Sequence, residues 1–233
     1  MFRHLLPILL FGFHYLQIAQ PTVAAQSLQF GTTASDYVRF YPDMSNVKHA
    51  LTVCSWVKKQ QTGTARSWIT YTTSTHGYEI LISDAGGYNY IHTRGFSVSV
   101  SVPLNTWTHQ CQSWSTSSET LKVYYNGNLV GSYRVDNTSP LEEGGYILLG
   151  HDSGSPSEHE IFGGQLMKLN IFGKELSGTE VAEMYRGGRC SEVEKKFDNV
   201  RFITWGSILS QPRTGNVRKV NFNSACQPVA GKK

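Results

Sequence analysis

The sequence predicts an all-β protein in which two antiparallel sheets pack face to face and one short helix is appended. Three observations carry this. Phe96-Ser97-Val98-Ser99-Val100-Ser101-Val102 alternates apolar and polar residues without a break, the period of a half-buried strand. Tyr125-Asn126-Gly127-Asn128 puts two residues that tolerate positive φ between apolar segments, a tight-hairpin signal. Ser177-Gly178-Thr179-Glu180 has the capping-box pattern, and Val181, Met184 and Tyr185 then recur at helical spacing before Gly187 and Gly188.

The elements follow in chain order. Arg3 and His4 lead into the apolar run Leu5-Leu6-Pro7-Ile8-Leu9-Leu10-Phe11-Gly12-Phe13, and small residues stand at Val23-Ala24-Ala25. A short basic start, a short apolar core and a small-residue exit predict a secretory signal peptide over residues 1–25. Pro7, Gly12 and Pro21 interrupt the run, which argues against a buried helix, and it is too short for a good membrane span. Strands are predicted over Tyr37–Tyr41, Leu51–Val57, Tyr78–Ile82, Leu121–Tyr125, Leu129–Val135, Tyr146–Leu149 and Gln165–Phe172. In the last, Leu166 starts the strand and Met167, Leu169 and Ile171 are expected on one apolar face.

Removing the leader takes one Arg and no acid, so the net charge falls from +4 to +3. Without clustered Lys and Arg this excludes a nucleic-acid binder. The remaining chain is long enough to bury a core as one domain, placed at residues 26–226 with a tail at 227–233. Its cysteines are Cys54, Cys111, Cys190 and Cys226. An even count in an exported chain predicts two disulfides, with three pairings open, and the absence of a CxxC pair argues against zinc. Asn137-Thr138-Ser139 is a glycosylation sequon in a polar turn.

Thr108-His109-Gln110-Cys111-Gln112-Ser113-Trp114-Ser115-Thr116 gathers a histidine, a cysteine, a tryptophan and several hydroxyls. On a strand, Trp107, His109, Cys111 and Ser113 share one face, and Gln110, Gln112 and Trp114 the other. Cys54, in the similarly alternating Leu51-Thr52-Val53-Cys54-Ser55-Trp56, is the best partner for Cys111.

His109-x-Cys111-x-Ser113-Trp114-x-Thr116 resembles the pentraxin family signature at every fixed position. Phe30–Tyr41 resembles that family's first strand, Leu51–Cys54 the strand with its partner cysteine, and Tyr146–Gly150 the strand leading into its calcium loop. Leu176–Gly188 resembles its single helix and Trp205 the tryptophan of a late strand, so the resemblance covers about residues 28–222. It implies a jelly-roll sandwich of the lectin and pentraxin type, a Cys54–Cys111 disulfide and a homo-oligomer. Cys190 and Cys226 lie outside the common pair and remain for a second bridge.

The resemblance also implies calcium, held through an Asp-Asn pair before the Glu-Ile-Leu strand and an acidic loop after the later one. Here Gly77 and Tyr78 stand at the Asp-Asn positions. The loop reads Gly150-His151-Asp152-Ser153-Gly154-Ser155-Pro156-Ser157-Glu158-His159-Glu160. Asp152 matches the acidic position, Ser153 would offer its carbonyl, and Glu158 and Glu160 would replace the missing ligands. Calcium needs about six to eight oxygens, so the expected Ca2+ site is reduced or single. The apolar pocket wall of phosphocholine binders is replaced by Ser83.

Other chemistry is weaker. Glu158 and Glu160 would share a strand face as glycosidase carboxylates do, but Phe162 stands where a third acid is usual. His159-Glu160 lacks the second histidine of HExxH. His151 and His159 read as ordinary loop histidines. The expectation is a secreted, extracellular recognition protein and not an enzyme, without a membrane span. It would bind a glycan or phosphorylated surface ligand through residues 74–78 and 150–160, calcium-dependently. The alternative is a structural or matrix assembly subunit that has lost that site.

Overall fold

The computed structural model describes residues 25–60, 67–75, 77–83, 88–91, 94–97, 103–135, 139–152, 160–189 and 191–222. In chain order the strands are β1 (Ala25–Gln29), β2 (Val38–Phe40), β3 (Ala50–Lys59), β4 (Ser67–Thr72), β5 (Ile80–Ser83), β6 (Tyr88–Ile91) and β7 (Arg94–Ser97). They continue with β8 (Trp107–Ser115), β9 (Thr120–Tyr125), β10 (Asn128–Arg134), β11 (Tyr146–Leu149), β12 (Gly164–Phe172), β13 (Arg201–Ile203) and β14 (Arg218–Phe222). Helix α1 (Gly178–Gly187) follows β12, and α2 (Trp205–Leu209) follows β13.

One sheet runs β10-β9-β8-β3-β12-β1-β14, with β13 also on β12, and the other runs β2-β11-β4-β5-β6-β7. The pairings within both are antiparallel. Consecutive residues of a strand face opposite ways, and that alternation builds two cores. Val53 and Val57 of β3, Trp114 of β8 and Leu121 of β9 join Ile69 and Tyr71 of β4 and Ile147 and Leu149 of β11 in the main core between the sheets. Each such side chain removed from water contributes roughly 1.5–3 kcal/mol. Trp68 meets the opposite sheet with a polar contact, its indole N–H donating to Gln110 Oε1 at 3.0 Å.

The opposite face of β3 and β8 forms the second core. Cys54 and Cys111 are directly paired in register and joined by a disulfide. Tyr124, Phe172 and Leu176 surround it, with Val181 and Met184 of α1. The faces expected for β8 are therefore those observed. Ser177 caps α1 by accepting from the Glu180 backbone N–H while the Glu180 carboxylate accepts from the Ser177 N–H, as the capping-box sequence predicts.

The structure corrects several expectations. Lys168 takes φ 55° in mid-strand, and one extra residue in β12 shifts the register between Met167 and Asn170. Met167 then pairs with Trp56 and Ile171 with Val53, three positions apart on β3, so they point to opposite faces. Leu169 and Ile171 share a face with Leu166 and not with Met167; a bulge breaks a pattern drawn by simple alternation. Trp205 opens helix α2 instead of lying in a strand, because Thr204 and Ser207 cap each other's backbone N–H groups at that point. Within Phe30–Tyr41 the strand is confined to Val38–Phe40. The residues before it turn around Asp36, whose Oδ2 accepts from the Thr33 N–H at 2.9 Å and whose Oδ1 accepts from the Asn216 N–H at 2.6 Å.

Strands β1, β4, β6, β13 and β14 add to those expected from the sequence. The strand expected over Phe96–Val102 begins earlier, at Arg94, and residues 98–102 lie outside the described ones, as do residues 1–24, Asn137, Ser153, Glu158, His159, Cys190, Cys226 and the tail at 227–233. No helix among the described residues is long and apolar enough to cross a membrane.

Candidate functional site

β11 ends at Leu149, and Gly150 then takes φ 111°, a left-handed conformation that favours glycine. Space demands glycine as well: a Cβ there would lie 2.6 Å from the Asp36 carbonyl oxygen and 2.7 Å from Phe30 Cδ1. The turn carries the chain back over β4, where the Thr70 hydroxyl donates to the His151 carbonyl at 3.5 Å. His151 and Asp152 end up buried, 4% and 6% exposed.

His151 is therefore not the ordinary surface histidine expected of a loop. Its Nδ1 hydrogen-bonds the Asp152 carbonyl, and because a carbonyl only accepts, the proton sits on Nδ1. Nε2 is buried and has no hydrogen-bond partner among the described residues. The Tyr37 ring stands edge-on to the imidazole at 5.6 Å.

Asp152 is reached from the connection before β5. The Tyr78 hydroxyl donates to Asp152 Oδ2 at 3.1 Å. Glu160, just before the bridge between Ser67 and Ile161, interacts with the same carboxyl group. Burial, first, and then the Glu160 charge push the Asp152 carboxyl up to about 6, against the Tyr78 hydrogen bond and His151. The contact between the two carboxyl groups further favours the protonated form of Asp152.

The structure thus brings Asp152 and Glu160 together with Tyr78. Their anionic oxygens are the hard donors that calcium prefers, and a cation between them would relieve the repulsion that raises the Asp152 pKa. That donor set fits one ion and not an adjacent pair, since Gly77 has no side-chain oxygen and Tyr78 is engaged with Asp152. Ser83 is fully buried and lines no open ligand surface. Elsewhere among the described residues, metal-ligating atoms gather at Cys54, His109 and Cys111, but the two sulfurs are bonded to each other. His109 is buried there, its Nδ1 has no hydrogen-bond partner among the described residues, and desolvation lowers its pKa to about 3. The imidazole is neutral packing.

Comparison with known proteins agrees with this architecture. The family model described as the concanavalin A-like lectin/glucanases superfamily matches residues 31–182. The chain belongs to that superfamily. Its curated relatives include pentraxins, and the His109–Thr116 stretch resembles that family's signature. Pentraxin-related protein PTX3 from Bos taurus is 26% identical over 181 residues, covering 70% of this chain and 44% of the relative. The neuronal pentraxin receptor of Homo sapiens is 24% identical over 142 residues, 57% of this chain and 28% of that one. The chain thus spans less than half the length of the curated relatives it matches. Among solved structures, the native heptameric SAP-like pentraxin from Limulus polyphemus superposes with a TM-score of 0.65 at 18% identity, covering 85% of this chain and 94% of that one. That likeness shows the jelly-roll fold alone.

Sequence reasoning placed Asp152 and Glu160 in one loop but missed Tyr78 as a contact of Asp152. The two residues are 74 positions apart, and nothing in either segment announces the hydrogen bond.

Proposed function

We propose that this protein is a secreted pentraxin-type recognition protein and not an enzyme, and that it binds a glycan or phosphorylated surface ligand through residues 74–78 and 150–160. The observation that carries this reading is the buried Asp152 carboxyl held up to about 6 beside Glu160, a pair of acids that a single calcium ion would neutralise. Asp152 and Glu160 would be its anionic ligands, with Ser153 and Glu158 of the same loop completing the set. Calcium would supply a positive centre for a phosphate or for sugar hydroxyls, and Tyr78 would hold Asp152 in place. The signal-like segment at 1–25, the disulfide between Cys54 and Cys111 and the sequon at Asn137 support export and glycosylation. Cys190 and Cys226 would form a second bridge, and the heptameric Limulus structure supports assembly as a homo-oligomer.

Calorimetric titration with calcium decides the matter, together with retention on immobilised phosphocholine and polysaccharide with and without chelator. Calcium uptake that is lost in Asp152→Asn, with retention lost in chelator, is expected. Absence of both calcium uptake and chelator-sensitive retention overturns the calcium-dependent reading.

One observation favours the alternative of a structural or matrix assembly subunit. Tyr78, at the position of a family calcium ligand, uses its hydroxyl to satisfy Asp152. A stable oligomer that takes up neither calcium nor ligand is the result expected of that alternative.

A further inference from the structure

We propose that the helix-bearing face of the larger sheet carries a second ligand site, a cleft for an acidic sugar built around Trp56, Trp107, Tyr185 and Arg189. It stands apart from Asp152, which is held over β4 in the other sheet.

The cleft has a volume of about 470 Å³ and is lined by those four residues with Asn105, Thr106 and Asn126. That lies within the size range of small-ligand sites, about 300–1,000 Å³. Its aromatic part is fixed by packing. Trp56 of β3 and Tyr185 of α1 stack with ring centroids 5.7 Å apart and planes 26° apart. His109 lies behind them, 5.1 Å from Trp56 and 6.1 Å from Tyr185. With its pKa near 3, it adds no charge to the cleft at neutral pH. Flat rings at a cleft surface suit the C–H face of a pyranose, because they offer broad apolar area at low entropy cost.

Among the described residues, two cations flank the cleft. The Arg189 guanidinium carbon lies 5.5 Å and the Lys58 ammonium 5.6 Å from the centroid of the Trp107 ring. Two cations beside one indole favour an anionic ligand, and a guanidinium pairs with a carboxylate or sulfate through two parallel N–H bonds. Burial lowers the Arg189 pKa but leaves the guanidinium charged at neutral pH, so an anion in the cleft would offset the cost of its desolvation. The rim is polar and exposed at Asn105, Thr106 and Asn126. Asn126 Oδ1 accepts from the His109 backbone N–H at 3.0 Å, so its Nδ2 is the group positioned to donate to a sugar hydroxyl. Aromatic face, guanidinium and fixed amide together describe a site for a sugar ring that bears a carboxylate or a sulfate.

The test titrates the full-length protein, in chelator to silence any calcium site, with digalacturonic acid, a chondroitin sulfate disaccharide and neutral cellobiose. Tryptophan emission and calorimetry report binding. At least one acidic disaccharide should bind, and cellobiose should bind at least about tenfold more weakly. Trp107→Ala and Arg189→Gln should each weaken binding by about tenfold or more, while Asp152→Asn leaves it unchanged. Trp107→Phe keeps a ring in place and should retain most of the affinity, which separates loss of stacking from loss of fold. The two acidic arms tell carboxylate from sulfate recognition. Equal binding of cellobiose, binding unaffected by both Trp107→Ala and Arg189→Gln, or no binding of either acidic sugar overturns the proposal.

Discussion

Tyr78 donates its hydroxyl to Asp152 Oδ2 at 3.1 Å, tying the connection before β5 to the turn after β11. The hydrogen bond opposes the rise in the Asp152 pKa but does not cancel it: burial and Glu160 still hold the carboxyl near 6. The folded protein therefore holds an acid in a form that water would ionise more readily, and this relationship is open to direct measurement.

The first prediction concerns that acid in calcium-free solution. Its folded pKa of about 6 lies above the ordinary aspartate value of 3.8, so between those pH values the native state binds more protons than the unfolded chain. Stability from this group is present below about pH 4 and is lost as pH rises through 6. Asp152→Asn should therefore raise stability at pH 7.4 in chelator by about 1–3 kcal/mol, a gain of a few degrees in melting temperature. With calcium added at about a hundredfold excess over Kd, the unsubstituted protein should gain roughly 2.7 kcal/mol and the variant nothing. Thermal melts followed by circular dichroism check both. A variant that melts lower in chelator would show that the carboxylate is a net stabiliser and that the repulsion is absent.

His109 predicts the opposite slope. Its folded pKa of about 3 lies below the ordinary histidine value of 6.5, so the unfolded chain takes up a proton that the native state refuses. Stability is full above pH 6.5 and is lost as pH falls toward 3, by as much as about 4–5 kcal/mol. His109→Leu should flatten this acid limb while leaving neutral-pH stability within about 1 kcal/mol, since the imidazole Nδ1 has no hydrogen bond to lose among the described residues. Urea unfolding at a series of pH values measures the slope. An unchanged acid limb would place the sensitivity elsewhere.

The opposed slopes also show how far the sequence could be read. The faces of β8 were legible because strict alternation from Trp107 to Trp114 has one solution once Cys111 is buried. Helix α1 was legible because Ser177 and Glu180 are local signals. β4 was not, because it is buried on both faces and lacks polar alternation, and unlike the equally covered β8 it has no cysteine to mark it. The face of Met167 was misread because a bulge at a non-glycine residue, Lys168, leaves no trace in the hydrophobic pattern. The site was legible only as a loop with acids in it. The burial of His151 and the reach of Tyr78 follow from the backward turn at Gly150, which the sequence shows as one glycine among 22.

The disulfide carries the third prediction. Cys54 and Cys111 close a loop with a sequence separation of 57, for which chain entropy gives roughly 4 kcal/mol of stabilisation. The paired Cys54→Ala and Cys111→Ala substitutions should lower the melting temperature by about 8–16 °C. The lost packing beneath Val181 and Met184 of α1 adds to the entropic effect. The same loss should follow reduction of the unsubstituted protein by dithiothreitol. A variant within a degree or two of the parent would mean that the helix packing alone holds this face.

The last prediction restores what the sequence removed. A side chain at Gly77 meets open space, with nothing within 4 Å of its Cβ, and no positive φ makes a substitution there strained. Gly77→Asp should therefore fold normally and return a carboxylate to the position where the family resemblance implies an aspartate. Affinity in calcium sites rises with the number of anionic ligands, so calcium binding should tighten by about an order of magnitude. The thermal shift caused by calcium should grow in step. Gly77→Asn isolates the charge, because it supplies the oxygen without the full negative charge and should give a smaller gain. Calorimetric titration of the three proteins under identical conditions measures the series. If aspartate and asparagine both leave calcium binding unchanged, then residues 74–78 and the Asp152 loop do not address one ion, and the reading that joins them in a single recognition site fails.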